Sequence, residues 1–403
     1  MTRLQLQPTA MAAGGAALAR DEDGRVVFVR GALPGERVTA QVTDARRDFA
    51  RAVAVDIMEA SPDRVAPPCP ALRAGCGGCT WQHVAPQAQV RMKADIIVDA
   101  LRRIGRLRDP PVPEAVPLSG PALRTTTRLA VTAAGRAGHR PRSDGEVSRH
   151  PVETDACLVA HPLLDELIVH GRYQGAREVV LRVGVASRER LVLAQGGVHG
   201  VEVPAGVVVV AEGDGRSAFV HEEVDGRSFR VSAASFFQPG PVAATALAGA
   251  VTAAVGDALA PGGHLVDAYA GVGLFASILG AARGARVTAI ESHPSAVADA
   301  RINLADLAAR VVPVQVGSWR PRPGDGAVEV VVADPSRPGL GRPGVKALVA
   351  AGGERLVLVS CDPASLARDA ALLVSAGYRL ASVAMVDAFP HTFHIETVSR
   401  FDR

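Results

Sequence analysis

Lysine is almost missing from this chain. Of its 44 basic residues only Lys93 and Lys346 are lysines, a bias read here as compositional, although arginine does suit phosphate contacts. Charge of either sign is in little excess: the net value is +3, which neither demands nor excludes a nucleic-acid partner. Charged residues make up 21% and hydrophobic residues 48% of the 403 positions. That balance excludes a disordered chain, and the length calls for two or three domains. No signal peptide is expected at the N-terminus, where Gln5, Gln7 and Pro8 break up a stretch that continues only in alanine and glycine. The longest uncharged run, Val231 to Gly256, holds Gln238, Pro239 and Pro241. It reads as a loop feeding a buried helix, not as a membrane span. A cytoplasmic protein without membrane association, acting as a monomer, is expected.

Cysteine is scarce as well. The five are unevenly placed: Cys69, Cys76 and Cys79 cluster, Cys157 stands alone, and Cys361 lies far downstream. An odd number without an export signal argues against a disulfide framework. The useful partition is four plus one. Four thiolates can hold an iron–sulfur cluster or zinc, and spacing leaves both open. Gly75, Gly77 and Gly78 would let the chain wrap such a group closely.

Three regions differ in texture. Residues 1–61 hold short β-like runs (Val26–Val29, Arg37–Val42, Ala50–Ile57) punctuated by Gly24, Gly31 and Pro34-Gly35, the pattern of a small oligonucleotide-binding barrel. Residues 62–235 form a central, β-rich domain. It opens with prolines and the cysteine cluster, continues with a helix over Pro86–Gly105, and then gives strands and hairpins with a turn at Ser143-Asp144-Gly145. Residues 236–403 alternate helices with apolar strands, which implies an α/β domain with a parallel sheet. Its strands are expected at His264–Tyr269, Arg286–Glu291, Val311–Val316, Val328–Ala333, Arg355–Ser360, Leu380–Val386 and His394–Phe401. No helix precedes the last of these, so it should run antiparallel to its predecessor and complete a seven-stranded, Rossmann-like sheet.

The glycines of Val266-Asp267-Ala268-Tyr269-Ala270-Gly271-Val272-Gly273 sit between a strand end and a helix, where backbone can approach a ligand. Glu291 ends the next strand, placed to accept hydrogen bonds from ribose hydroxyls. Position 276, where a dinucleotide site often has its third glycine, is alanine. Asp334 and Cys361 follow later strands, and Glu396 lies near the start of the antiparallel one. All fall on the edge where open parallel sheets bind ligands. A helix starting around Ala364 would favour the Cys361 thiolate. One thiol and one carboxylate suffice for a known strategy. Thiolate addition at uracil C6 makes C5 electron-rich, C5 takes a methyl group, a base removes the C5 proton, and the thiol is expelled.

Six segments carry a resemblance: SFFQPGP (235–241), VDAYAGVGLF (266–275), AIESHPSAVADARINL (289–304), ADPSRPGLG (333–341), LVSCDPASLARD (358–369) and FPHTFHIETV (389–398). In this order they resemble the RNA uracil-C5 methyltransferase family, class I enzymes with an N-terminal TRAM domain and often an iron–sulfur cluster. The resemblance implies Cys361 as nucleophile and Glu396 as proton acceptor. It implies Gln238, Tyr269, Glu291 and Asp334, beside Gly271 and Gly273, as contacts to S-adenosylmethionine. It implies Cys69, Cys76, Cys79 and Cys157 as ligands of a 4Fe–4S cluster, ahead of zinc. The partner it implies is tRNA or rRNA, with Arg46, Arg47, Arg102, Arg103, Arg106 and Arg108 available to phosphates. The chain departs from the family pattern at Asp362, Ser336, Leu274 and Gly317, and has Pro239 where asparagine is usual after the glutamine. Two alternatives stay open: a methyltransferase acting on another base such as cytosine C5, and an RNA-binding iron–sulfur protein without turnover.

Overall fold

A computed structural model describes residues 2–121, 123–141, 150–214, 217–322, 324 and 326–403; the turn expected at residues 143–145 lies outside them. The chain divides into two compact units. One comprises Met1–Ile97, Gly138–Asp155 and Phe389–His394, the other Val98–Ala137, Ala156–Ala388 and Ile395–Arg403.

The first unit is built on β1 (Arg3–Leu6), β2 (Ala10–Met11), β3 (Ala17–Arg20), β4 (Val26–Arg30), β5 (Arg37–Ala45) and β6 (Phe49–Glu59). Val27, Val29, Val38, Ala40, Ala50 and Ala52 are buried at every second position, as expected for strands with one covered face. The strand order is β1-β5-β6-β4-β3-β2, and the expected barrel is corrected here to an open sheet. Among the described residues β1 pairs only with β5 and β2 only with β3. The chain between the two edges is broken by Pro8, which has no N–H to donate. β2 is two residues long and ends in the left-handed turn of Gly14 and Gly15 (φ 94° and 86°). Of α1 (Pro86–Arg103), the part up to Ile97 belongs to this unit and secures the Phe389–His394 segment. Lys93 Nζ donates to the Phe389 carbonyl at 3.2 Å and the His391 N–H donates to Gln89 Oε1 at 2.7 Å.

The second unit begins with β7 (Glu114–Val116), β8 (Thr126–Val131), β9 (Ala137–Gly138), α2 (Pro162–His170), β10 (Arg172–Tyr173) and β11 (Glu178–Val183). It continues with β12 (Arg190–Gln195), β13 (Val201–Glu202), β14 (Val207–Ala211), β15 (Phe219–Val224) and β16 (Arg227–Ser232). A central sheet runs β14-β12-β11-β8-β9, and α2 packs Leu164, Leu167 and Ile168 into one core with Leu129, Leu181 and Val192.

The remainder alternates as the sequence texture predicts: α3 (Pro241–Val255), β17 (His264–Ala268), α4 (Leu274–Arg283), β18 (Arg286–Glu291), α5 (Pro294–Asn303) and β19 (Ala309–Pro313). Then come β20 (Val330–Ala333), α6 (Gly341–Val349), β21 (Arg355–Ser360), α7 (Pro363–Ser375), β22 (Arg379–Val386) and β23 (Glu396–Asp402). The sheet order is β19-β18-β17-β20-β21-β23-β22-β7, eight strands where seven were expected. β23 is antiparallel to both β21 and β22, and the extra strand β7 adds parallel to β22. By length and composition alone Pro241–Ala258, at 18 residues and mean hydropathy 1.3, could cross a membrane. Ala244, Leu247, Val251 and Val255 are nevertheless buried, and the helix packs on β21, β22 and β23, so it serves as a core helix.

Candidate active site

The carboxyl ends of β17, β18, β20 and β21 lie side by side, because these parallel strands pair in register. The β17–α4 turn needs left-handed backbone at Gly271 (φ 55°) and Gly273 (φ 93°), and Tyr269 adopts it too (φ 60°). A tyrosine held there is a strained residue of the kind found at ligand clamps. A side-chain carbon at Gly273 would meet Leu304 at 3.1 Å, whereas one at Gly271 would meet nothing within 4 Å. Glu291 Oε2 accepts the Gly271 N–H at 2.9 Å, while Oε1 accepts those of Ser292 and His293 at 2.6 and 2.7 Å. The glycine turn and the ribose-binding candidate are thus one assembly.

Two further carboxyls line this edge. Asp267 is buried, with Oδ2 accepting the Ala276 N–H at 2.8 Å and Oδ1 without a partner among the described residues. Burial, with Asp334 and Glu291 adding, pushes it up to about 8. Burial likewise pushes Asp334 up to about 7, against a 3.4 Å hydrogen bond from Gln238 Nε2. Both folded values lie above the ordinary carboxylate range, so the folded chain binds protons that the unfolded chain has released. That stabilisation is complete at low pH and is lost as pH rises through about 7 to 8. Urea midpoints should therefore fall between about pH 5 and about pH 8, with Asp334→Asn flattening part of the slope; a midpoint that rises over this interval would contradict the assignment.

Cys361 follows β21, and Glu396 begins β23. The two strands pair Ser360 with Thr397, and Cys361 and Glu396 adjoin this last pair, close enough for the carboxyl's charge to act on the thiol. Glu396 is 8% exposed, and burial, reinforced by Asp334 and opposed by Arg337, raises it well above an ordinary carboxyl. Burial and the carboxyls of Glu396 and Asp334 push the half-buried Cys361 thiol up to about 11, with Arg337 pulling it down. The thiolate expected from the α7 N-terminus is outweighed in this arrangement.

Asp362, one of the departures, caps α7: its side chain accepts the Ser365 N–H at 2.7 Å. Aspartate and asparagine serve equally there. At Gly317 an added side-chain carbon would meet Pro343 at 2.9 Å, so a polar side chain has no room. Leu274 opens α4 and is buried. Ser336 contributes its carbonyl to a turn closed by the Gly339 N–H at 2.8 Å.

Sequence reasoning missed the groups that support this edge. Asp369, buried on α7, accepts the backbone N–H groups of Leu340 and Gly341 at 2.7 and 3.0 Å. Asp299, buried on α5, accepts from Arg230 at 2.5 Å, from the Ser232 N–H and hydroxyl at 2.8 and 2.7 Å, and from Ser235 at 2.6 Å. Aspartates inside helices gave no pattern by which to find them. Asp299→Ala takes the carboxylate from the Arg230 guanidinium, which keeps the Ser217 hydroxyl at 2.7 Å, a loss of about 3 kcal/mol in unfolding free energy. Urea titration checks this, and a loss under about 1 kcal/mol would show the network to be dispensable.

The four cysteines expected to ligate a cluster do not form a metal site. Among the described residues, which include all four, no group of three or more His, Cys, Asp or Glu side chains could hold a metal ion. Cys157 packs against the α2 core, its N–H bonded to Asp165 at 2.7 Å. The Cys69 N–H is taken by Gln82 at 3.1 Å, and Cys76 Sγ accepts the Gly78 N–H at 3.4 Å. Local turns and apolar packing use Cys69, Cys76 and Cys157, and both the 4Fe–4S and the zinc expectation are corrected. The arginines proposed for phosphates, Arg46, Arg47, Arg102, Arg103, Arg106 and Arg108, are exposed, with Arg46 and Arg103 near Asp44 and Asp99 at 3.2 and 3.6 Å.

Sheet order, glycine turn and acidic strand ends together define a class I, S-adenosylmethionine-dependent methyltransferase. Comparisons with known proteins narrow this. The TRAM domain family matches residues 10–55, and the tRNA (Uracil-5-)-methyltransferase family matches residues 324–401. An uncharacterised RNA methyltransferase of Streptomyces avermitilis is 38% identical, over 96% of this chain and 95% of its own. The 23S rRNA (uracil(1939)-C(5))-methyltransferase of Methylococcus capsulatus is 34% identical, over 94% of this chain and 93% of its own. Among solved structures, the Pyrococcus abyssi tRNA (uracil-54, C5)-methyltransferase in complex with S-adenosyl-L-homocysteine superposes with a TM-score of 0.74. It is 23% identical and covers 99% of this chain and 100% of its own; at that identity the likeness speaks for the fold. The chain belongs to the RNA uracil-C5 methyltransferase family.

Proposed function

We propose that this chain methylates C5 of uridine in RNA through a covalent bond between Cys361 and C6, with Glu396 taking the C5 proton. The observation that supports the reading is the Ser360–Thr397 pair that ends the β21–β23 register, with the Cys361 thiol and the buried Glu396 carboxyl adjoining it and interacting. Gln238, Tyr269, Gly271, Gly273, Glu291 and Asp334 would hold S-adenosylmethionine, which supplies an electrophilic methyl group on a sulfonium. The open space over Gly271 and the unpartnered Asp267 Oδ1 among the described residues fit a polar, cationic guest there.

Cys361 adds to C6 as the thiolate, its proton having gone to solvent, and Arg337, which lowers both Cys361 and Glu396, offsets the neighbouring carboxyls. With sulfur on C6 the ring becomes an enolate and C5 takes the methyl group. The C5 proton then passes to Glu396 in its ionised form, whose raised proton affinity makes it a stronger base than an ordinary carboxylate. Its departure restores the double bond and expels the Cys361 thiolate. Access to C5 and C6 requires an unstacked base, which favours loop or single-stranded RNA, whether tRNA or rRNA. The natural setting is the cytoplasm, with the protein acting as a monomer.

Tritium release tests the reading. RNA labelled at uracil C5 should release label only when both S-adenosylmethionine and the protein are present. Methyl incorporation without release would move the target to another position or base.

A further inference from the structure

We propose that Arg182 is a positioning residue for methyl-donor binding: from inside the central sheet its guanidinium holds the loop that carries Gln238. The inference rests on the reading of Gln238 as a contact to S-adenosylmethionine.

Arg182 lies on β11, where its neighbours Leu181 and Val183 are fully packed, and is itself only 6% exposed. Burial pulls it down to about 10, against Asp299 and Glu222, so it stays charged at neutral pH. A buried cation is costly, and an aliphatic side chain would fill a sheet interior at less expense. Nor is the charge fully used up locally: Nε, and Oε2 of the equally buried Glu222, have no partner among the described residues. What Arg182 does make is one short bond, from Nη2 to the Ser235 carbonyl at 2.6 Å.

That carbonyl belongs to a segment, residues 233–240, with neither helix nor strand of its own. Its position is set from outside. The Thr125 N–H donates to the Pro239 carbonyl at 2.7 Å and fixes the far end, while Arg182 at the Ser235 carbonyl and Asp299 at the Ser235 hydroxyl, both at 2.6 Å, fix the near one. Gln238 lies between the two anchors and reaches Asp334 Oδ2 at 3.4 Å. A charged donor on the Ser235 carbonyl sets the direction in which the chain leaves toward Gln238, which apolar filling of the same volume would not do.

A double-mutant cycle on the full chain tests this, with S-adenosylmethionine affinity measured by calorimetry and folding by thermal midpoint. Arg182→Met should weaken affinity about tenfold in the otherwise unchanged protein and less than about twofold in the Gln238→Ala background. Should Arg182→Met fail to fold, Arg182→Lys, which keeps the charge and loses the planar fork, replaces it in the same cycle with the same non-additivity expected. If Gln238→Ala weakens binding but the Arg182 substitution has no effect, or an equal effect in both backgrounds, the positioning role is overturned while Gln238 keeps its own. If Gln238→Ala leaves affinity unchanged, the reading of Gln238 falls, and the inference with it.

Discussion

Replacing Cys361 by alanine should abolish methyl transfer while leaving the methyl donor bound. Uracil C5 is a weak nucleophile, and without a covalent bond at C6 nothing raises its electron density to meet the donor. Loss of a catalytic nucleophile typically costs about 10⁴-fold or more in kcat. Cys361 is only half-buried, and the α7 cap is made by Asp362, not by the thiol. The substitution therefore removes little packing, and the thermal midpoint should hardly move. S-adenosylmethionine affinity should stay within about threefold, since the glycine turn and Glu291 are untouched. Calorimetry on the variant together with tritium release separates chemistry from binding. Turnover that survives the substitution would remove the covalent route.

Glu396→Gln should fail at a different point. Addition of sulfur and methyl transfer do not need the carboxylate; loss of the C5 proton does. The variant is expected to run forward to a methylated ring still joined to Cys361 and to stop there. It should accumulate a protein–RNA complex that survives denaturing gels, with turnover lowered about 10²- to 10⁴-fold. The amide is a close replacement in size at this buried position. Loss of the adduct together with loss of turnover would instead assign Glu396 to the addition step.

The sheet edge that carries the candidate site was legible because it rests on chain order and strand ends. Arg286–Glu291 and Arg355–Ser360 occur as read, since each is a bounded apolar run. The antiparallel direction of β23 followed from a connection too short for a crossover. The eighth strand was not legible: Glu114–Val116 is three residues in a proline-rich connector, too short for any periodicity. Pro8 and the Gly14-Gly15 turn were visible as breaks, but whether two sheet edges meet is a matter of tertiary geometry. Arg182 was hidden for a related reason. It sits in a strand that is buried on both faces, where alternation does not mark a charged residue as inward. The cysteine spacing misled because spacing records that thiols are near one another in sequence, while ligation requires four sulfurs to converge on one point.

The most direct measurement uses RNA in which the target uridine carries fluorine at C5. With no proton to remove, the methylated adduct cannot be resolved, and mass spectrometry of the digested protein locates the attachment. Nucleotide plus methyl is expected on the peptide that contains Cys361, formed only when S-adenosylmethionine is supplied. Attachment at another residue, or methylated RNA with no protein-bound nucleotide, would contradict it.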